Sequence, residues 1–191
     1  MSAADTAAES QSGDVVDVLL TQHNEARSLV GQIRGTTSEA KKGSFDRLVN
    51  LLAVHETAEE MVVYPVVRSS GPDGDRLADA RTADESEAKD ALSDLEKTDV
   101  NSPEFDTKLQ VFEQLLEVHA GNEEQEIFPL LRASQSPEQL AKMAEALQAA
   151  ERVAPTHPHP HGPQSAVGNV VVGPFVAVVD RVRDALRARG R

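Results

Sequence analysis

Two stretches of the chain, HETAEEMVVYP from His55 to Pro65 and HAGNEEQEIFP from His119 to Pro129, share one pattern. Each contains a histidine, a Glu-Glu pair that begins four residues later, and an aromatic residue followed by proline. A constant shift of 64 residues separates all five matching positions. A fixed shift of this kind indicates an internal repeat, so we expect two copies of one unit in the fold.

Both stretches lie on helical seams in which inward positions alternate steps of four and three. We predict that Ser44 caps the first of these helices and that Ser102, followed by Pro103, caps the second. The first seam contains Leu48, Leu52, His55, Glu59, Val62 and Val66, and the second contains Phe112, Leu116, His119, Glu123 and Ile127. Each seam therefore carries two ionisable positions among its apolar ones.

Two further helices are predicted from apolar residues at helical spacing. Residues 15–34 place Leu19, His23, Ala26, Val30 and Ile33 on one face, and residues 77–96 place Ala78, Glu85, Ala88, Leu92 and Leu95 on another. Four such helices joined by short polar connections favour an all-α, up-down-up-down four-helix bundle.

The segments outside the bundle differ in composition. Residues 1–13 are predicted to form a disordered tail, and residues 133–153 an additional helix that opens with a capping box of Ser136 and Gln139. A Pro- and His-rich linker is predicted over residues 154–169, and an amphipathic C-terminal helix over residues 170–191. This last helix is expected to cover the bundle or to form a homodimer contact.

The composition excludes several classes of function. The chain has 191 residues, no cysteine and a formal net charge of −13. We therefore expect one domain, no thiolate metal site and no nucleic-acid partner, because a phosphate backbone attracts clustered Lys and Arg. Without a signal-like N-terminus or a long apolar run, we expect a cytoplasmic protein with no membrane partner.

Three of the six histidines, His23, His55 and His119, lie on the inward faces of different predicted helices. A histidine and a glutamate four residues apart point the same way from a helix, as His55 does with Glu59 and His119 with Glu123. A buried carboxylate without a partner is costly, so a positive charge should lie between the two pairs. Because no inward Lys or Arg is evident there, the pattern predicts a metal pair.

These residues resemble the haemerythrin family, specifically its prokaryotic HHE cation-binding domains, over about residues 14–132. The HETAEEMVVYP and HAGNEEQEIFP stretches match the two signature segments of the family. The resemblance implies a haemerythrin-like bundle that holds two iron ions in an oxo-bridged, non-haem di-iron centre. It implies His23, His55, Glu59, His119 and Glu123 as metal ligands, with the two glutamates as bridging carboxylates.

The third helix departs from the family pattern, which places a histidine there and sometimes another four residues later. When the apolar residues of this helix are aligned on those of the first, Glu85 lies opposite His23, and Lys89, a poor ligand, takes the later position. The strict shift of 64 selects Glu87 instead, and Asp84 is also close. We prefer Glu85 as the sixth metal ligand, because helix packing fixes which residue faces a site.

A carboxylate in place of an imidazole makes the ligand set harder and more negative, which favours ferric iron over a persistent diferrous state. Family resemblance suggests hydrogen peroxide, dioxygen or nitric oxide as the reactant, and we expect a catalase-like reaction with peroxide. The alternative is a module that binds or senses dioxygen, nitric oxide or iron without turnover.

Three further features are assigned structural roles. Glu56 is expected on a solvated helix face, although some relatives use such a glutamate as an extra ligand. Tyr64 is expected to be a boundary residue beside Pro65 rather than a hydrogen-bond donor at the site. The alternation of His157, His159 and His161 with proline is typical of a stiff tether.

Overall fold

The computed structural model describes residues 13–156, and they form a succession of helices. The α-helices are α1 (Val15–Gly35), α2 (Ser38–Ala58), α3 (Tyr64–Ser69), α4 (Gly74–Glu96), α5 (Pro103–Asn122), α6 (Phe128–Ser134) and α7 (Pro137–Glu151). Two π-helical turns, Glu59–Val63 and Glu123–Ile127, join α2 to α3 and α5 to α6 without a break. The bundle therefore consists of α1, α2–α3, α4 and α5–α6.

Two hydrophobic clusters form the core, and they give the direction of every helix. The first cluster contains the beginning of α1, the buried residues of α3, Ala78 near the beginning of α4, the start of α6 and the buried face of α7. The second contains the end of α1, the middle of α2, the end of α4 and most of α5. Successive helices thus run alternately from one cluster to the other, which confirms the predicted up-down-up-down bundle.

Local capping agrees with the predicted beginnings of two helices. The Ser102 hydroxyl accepts a hydrogen bond from the Phe105 amide at the start of α5. Ser136 and Gln139 form the capping box of α7. These caps satisfy amide groups that have no partner inside their own helix, so short polar motifs define where both helices begin.

The predicted start of α2 at Ser44 was wrong, because the helix begins six residues earlier at Ser38. Tertiary contacts hold the additional turns. The Lys41 ammonium lies 2.6 Å from a carboxylate oxygen of Asp106, and the Phe45 ring contacts the Phe105 ring edge-on at 5.1 Å. Such packing against α5 outweighs the modest local preference of a serine for a cap.

The connection between α3 and α4 is tight. Gly71 has a φ of 145°, a conformation that side chains disfavour. A Cβ atom on Gly74 would lie 2.3 Å from the Val67 carbonyl oxygen, so the first turn of α4 approaches the end of α3 too closely for any side chain. This close approach fixes the start of the helix that carries Glu85.

The seventh helix lies outside the four-helix bundle and covers its first half. It packs against α1, α2 and the first π-helical turn through Leu140, Met143 and Leu147, all of them buried. Within residues 13–156, no helix combines the length and apolar composition needed to cross a membrane. The predicted C-terminal helix, the tether histidines and nearly all of the N-terminal tail lie outside the described residues.

Candidate metal centre

A polar layer separates the two hydrophobic clusters, and all six predicted ligands lie in it with at most 4% of each side chain exposed: His23, His55, Glu59, Glu85, His119 and Glu123. Their nitrogen and oxygen atoms form two adjacent groups, in each of which all potential ligand atoms lie within 4.8 Å of one another. The first group comprises His23, His55, Glu59 and Glu123, and the second comprises Glu59, Glu85 and His119. The two groups share one carboxylate, that of Glu59, and each could hold a metal ion.

Each π-helical turn begins at one of the two glutamates of the repeated motif. The Tyr64 amide donates to the Glu59 carbonyl, and the Phe128 amide donates to the Glu123 carbonyl, each across five residues. A proline follows directly in both cases, and a proline inside an α-helix clashes with the carbonyl four residues earlier. The wider turn relieves that clash at a candidate ligand, as π-turns at functional sites often do.

These turns were not predicted, although the sequence carries their signal. The aromatic residue and proline that end each signature stretch lie inside a long helical pattern, where proline is unfavourable. Both prolines occur at the same distance from a buried glutamate. A proline at an unfavourable position inside a helix is therefore part of the repeated motif. The repeat therefore extends to the backbone distortion, not only to the side chains.

Several buried polar atoms in this layer have no hydrogen-bond partner within the described part of the chain. Among them are both carboxylate oxygens of Glu59, Oε2 of Glu123, and Nε2 of His23 and of His119. Burying such groups without a partner costs free energy, and a carboxylate costs more than a neutral group. A cation in contact with these atoms would satisfy all of them, so the donor set fits a metal.

The surroundings of two carboxylates, Glu59 and Glu123, shift their pKa values in opposite directions. Burial raises the pKa of Glu59 well above its ordinary range, and the neighbouring carboxylates of Glu123 and Glu85 raise it further. Burial would also raise the pKa of Glu123, but the adjacent His119 and His23 lower it to about 2. Without a cation, the layer therefore favours one ionised glutamate and a protonated neighbour.

The imidazoles are suited to bind metal as neutral groups. Burial and the neighbouring His23 lower the pKa of His55 to about 3, and burial lowers the pKa of His119. A neutral imidazole keeps a lone pair on one ring nitrogen, which is the form that binds a metal. The His55 Nε2 atom lies 3.2 Å from a carboxylate oxygen of Glu59, so this nitrogen faces the centre.

The other ring nitrogens have different partners. His23 Nδ1 lies 2.9 Å from a carboxylate oxygen of Glu124, which also accepts a hydrogen bond from Arg27 at 2.9 Å. His55 Nδ1 lies 2.8 Å from the Gln22 side-chain oxygen. His119 Nδ1 has no partner among residues 13–156. Hydrogen bonds behind metal-binding histidines fix the ring orientation and the tautomer, so two of the three rings are held in this way.

A cation, Lys89, lies beside Glu85 at the later of the two positions that the family pattern marks on this helix. The Lys89 ammonium is 3.3 Å from Glu85 and 2.7 Å from Glu60, and 3.6 Å from Glu56, which is buried rather than on a solvated face. Burial alone would lower the pKa of Lys89, but Glu56, Glu85 and Glu60 raise it, so the side chain stays charged. The expectation that Glu56 lies on a solvated helix face was therefore wrong.

Tyr64 was also misassigned, because its hydroxyl reaches into the polar layer. The hydroxyl oxygen lies 2.5 Å from Glu85 Oε1 and 2.9 Å from Glu123 Oε1. The side chain is buried, and burial together with the two carboxylates raises its pKa, so the hydroxyl retains its proton. A tyrosine at the end of a signature stretch therefore lies within hydrogen-bond distance of two candidate ligands, and its single proton is donated to one of them at a time.

The three acidic candidates on α4 occupy different positions. Glu85 is fully buried and faces the centre, whereas Glu87 is exposed. Asp84 accepts a hydrogen bond from the Asn122 side chain at 3.2 Å and lies at the edge of the layer. Helix packing therefore turns Glu85 into the polar layer, whereas Glu87, the residue that the strict shift of 64 selects, is exposed. That Glu85 binds metal stays a prediction.

The sequence profile described as "Hemerythrin HHE cation binding domain" matches residues 14–131. The chain belongs to the haemerythrin HHE cation-binding family. This haemerythrin-like domain is accordingly a metal-binding module, and the buried His and Glu groups are where it could hold its cations.

Several individual proteins resemble this chain at low sequence identity. An uncharacterized hemerythrin-like protein of Schizosaccharomyces pombe is 30% identical over 136 residues, which are 71% of this chain and 67% of that protein. A Nostoc protein named DNA nickase is 28% identical over 153 residues, which are 78% of this chain but 42% of that protein. The crystal structure of a hemerythrin HHE cation binding domain-containing protein from Mycobacterium kansasii has a TM-score of 0.66 at 22% identity, over 89% of this chain and 99% of that one. That likeness supports the fold.

Proposed function

We propose that this haemerythrin-like domain holds two iron ions in a non-haem di-iron centre and reacts with a small oxidant, hydrogen peroxide. One observation carries the proposal: three imidazoles and three carboxylates converge in a buried layer where Glu59 belongs to both groups of candidate ligands. Mixed nitrogen and oxygen donors on facing helices are the ligand type of di-iron sites in bundle cores. When bound, the iron pair would supply the electron transfer that the oxidant requires.

The balance of charge supports ferric iron. Glu59, Glu85 and Glu123 are all fully buried, and three carboxylates are more negative than the family's usual set with a histidine on this helix. Hard, anionic oxygen donors stabilise the more highly charged ion. Reversible dioxygen carriage requires a persistent diferrous state, so this ligand set favours reaction with peroxide instead.

The space beside the candidate ligands limits the size of the reactant. A cavity of about 10 Å³ borders His23, His55 and His119, with Ala26, Leu52 and Leu116 among its other neighbours. A volume of this size holds about one water-sized molecule. A sugar, a nucleotide or a peptide side chain would not fit, whereas a molecule of two heavy atoms requires little adjustment.

A hydroxyl that could transfer protons, that of Tyr64, lies next to the carboxylates of Glu85 and Glu123. Disproportionation converts two hydrogen peroxide molecules into two waters and one dioxygen, so one peroxide is oxidised, the other is reduced and no outside reductant is needed. Protons released by the oxidised molecule must reach the oxygen atoms of the reduced one. The Tyr64 hydroxyl holds a proton in contact with Glu85 and Glu123, and it is therefore the group we assign to this transfer.

The direct experiment measures peroxide loss and dioxygen release by purified, iron-loaded protein. We expect about one dioxygen for every two peroxides consumed, as the balanced equation requires. Peroxide loss without dioxygen would indicate a peroxidase that needs a reductant. Iron binding without peroxide loss would leave the binding or sensing module as the function.

A matched pair of variants tests whether Glu85 sets this reactivity. Glu85→His replaces an anionic candidate ligand with a neutral one, so we expect the reduction potential to rise by roughly 60 mV or more, a tenfold change in a one-electron equilibrium. Peroxide turnover should fall in the same variant. The control, Glu87→His, changes an exposed residue two positions away and should leave both quantities unchanged.

A further inference from the structure

We infer that α7 orients the candidate ligand His55 through a hydrogen-bonded chain formed by Gln22 and Glu151. The inference rests on the proposed metal centre, but it concerns a helix that lies beyond the family match, which ends at residue 131. It assigns α7 a role in positioning a metal ligand in addition to covering the core.

The chain links the polar layer to the end of α7. The Gln22 side-chain oxygen lies 2.8 Å from His55 Nδ1, and its amide nitrogen lies 2.5 Å from Glu151 Oε1. His55 is 3% exposed, whereas Gln22 and Glu151 are only partly buried. One side chain on α1 therefore connects a buried ring on α2 to a carboxylate that α7 supplies.

The chemistry of these groups fixes the direction of every hydrogen bond. An ionised carboxylate only accepts, so Glu151 must receive its hydrogen bond from the Gln22 amide group. The Gln22 carbonyl oxygen is then turned to His55 and must receive a proton from Nδ1. A neutral imidazole has only one N–H, so Nε2 keeps its lone pair, and it is Nε2 that faces Glu59.

The three histidines differ in their dependence on α7. The partner of His23 is Glu124, which belongs to the second π-helical turn inside the bundle. His119 Nδ1 has no partner in the described part of the chain. His55 alone among the three is connected to α7, so a change at Glu151 should act on one ring and leave the other two in place.

Glu151 should also strengthen the binding of metal. Its negative charge polarises the Gln22 amide, which makes the carbonyl oxygen a better acceptor and the His55 ring a better electron donor. Loss of an outer hydrogen-bond partner of this kind commonly costs 10- to 100-fold in metal affinity. Because the amide transmits the charge indirectly, we expect the lower end of that range.

The test uses the full chain and the variant Glu151→Gln, which removes the charge but keeps the size of the side chain. Glu145→Gln is the control, since Glu145 is an exposed residue on the same helix. Nuclear magnetic resonance of metal-free protein reports the His55 Nδ1 proton. We expect a single downfield, slowly exchanging signal in the wild type and in the control, and an upfield, faster-exchanging signal in Glu151→Gln.

The second measurement is the rate at which iron-loaded protein loses metal to a chelator. We expect loss about tenfold faster in Glu151→Gln than in the control, and faster still in Gln22→Leu, which removes the whole connection. Thermal unfolding of the metal-free forms monitors folding, and a role of α7 in packing alone would lower the unfolding temperature without moving the His55 signal.

The outcomes separate this inference from the proposed function. An unchanged Nδ1 signal in both Glu151→Gln and Gln22→Leu would overturn the inference whether or not metal binds. A shifted signal in a protein that takes up no metal would uphold the chain of hydrogen bonds and refute the metal centre. A shifted signal with an unchanged rate of metal loss would overturn the claim that the chain strengthens metal binding.

Discussion

The two helical hairpins, α1 with α2–α3 and α4 with α5–α6, repeat one pattern but surround it with different charges. Both contribute a His and a Glu four residues apart, followed by a π-helical turn. The remaining inward position is His23 in the first hairpin and Glu85 in the second. The repeat therefore sets the backbone and the shared candidate ligands, whereas the positions that differ between the hairpins, such as His23 and Glu85, set the charge of the centre.

A cation four residues after that position completes the comparison. Arg27 follows His23 and contacts Glu124, and Lys89 follows Glu85 and contacts Glu60. The geometry is thus equivalent in the two hairpins. Lys89 also contacts the candidate ligand Glu85 itself, so only in the second hairpin does the cation neutralise part of the centre.

The aromatic residue of each motif contacts a candidate ligand of the other hairpin. The Phe128 ring stacks on the His23 ring with a centroid separation of 5.5 Å. The Tyr64 hydroxyl contacts Glu85. Phe128 therefore packs ring against ring on His23, whereas the Tyr64 hydroxyl contacts the Glu85 carboxylate. Only the motif that faces a carboxylate needs a hydroxyl, which explains why the single tyrosine is at position 64.

The largest effect should come from removing a shared ligand. His55→Ala and His119→Ala should each lose most bound iron, because each removes a donor and leaves buried carboxylates facing a gap. Metal analysis of the purified variants measures this, with His159→Ala as the control that keeps its iron. If one hairpin variant retained both irons, the two halves would not be equivalent as ligands.

Lys89 and Arg27 should contribute unequally to the stability of the metal-free protein. Lys89→Met should destabilise the metal-free protein by about 3 kcal/mol near pH 8, because it leaves the buried Glu56, which is ionised at this pH, without a counter-charge. Arg27→Met should cost about 1 kcal/mol or less, since its partners Glu117 and Glu124 are more exposed. Urea unfolding measures both values, and equal losses would contradict the asymmetry.

Tyr64→Phe tests the hydroxyl that one half possesses and the other lacks. We expect peroxide turnover to fall about 100-fold, as for loss of a positioned proton donor, while iron content stays close to that of the wild type. Turnover per bound iron is the quantity to compare. Unchanged turnover would assign Tyr64 to packing and would remove the proton-transfer role from the account.

The metal-free protein should lose stability as the pH rises above about 7.5, where an imidazole of ordinary pKa in the unfolded chain has lost nearly all of its protons. Burial raises the folded-state pKa of Glu56 to about 7 and that of Glu59 and Glu85 well above their ordinary range. The folded state then holds more protons than the unfolded state. Stability should fall with a slope on the order of 1.4 kcal/mol per pH unit for each retained proton.

The metal-loaded protein should not follow this trend. Metal replaces the protons on the carboxylates, and its affinity increases as competing protons leave. Urea unfolding of both forms between about pH 7.5 and 9 tests the difference. A metal-free protein that gains stability over this range would contradict the assignment of raised pKa values to the buried glutamates.

The sequence predicted the bundle and the content of its polar layer because both depend on periodicity. Every seam residue assigned from helical spacing is buried, including Glu85, which alignment of apolar residues selected over Glu87. Periodicity reports which face of a helix turns inward, and it requires no knowledge of distant contacts. The fold class could therefore be derived without the structure.

The features that sequence reasoning missed all depend on contacts between helices. Lys89 reaches Glu56 and Glu60 across the bundle, and Tyr64 reaches Glu85 on another helix. The start of α2 depends on Phe45 packing against α5. Local spacing assigns a face but not the reach of a long side chain, so Glu56 was assigned to the surface, Tyr64 to the boundary, and Lys89 to a ligand position without its carboxylate partners.

The central claim is that the layer between the two hydrophobic clusters holds two irons, one beside each hairpin's distinctive residue. The most direct measurement is metal content per chain, with an optical spectrum, for the wild type and for Glu59→Ala, which lacks the carboxylate shared by both groups. We predict two irons per wild-type chain, near-ultraviolet absorption of a diferric pair, and loss of both irons in the variant. One iron, zinc, or no metal in the wild type would contradict the account.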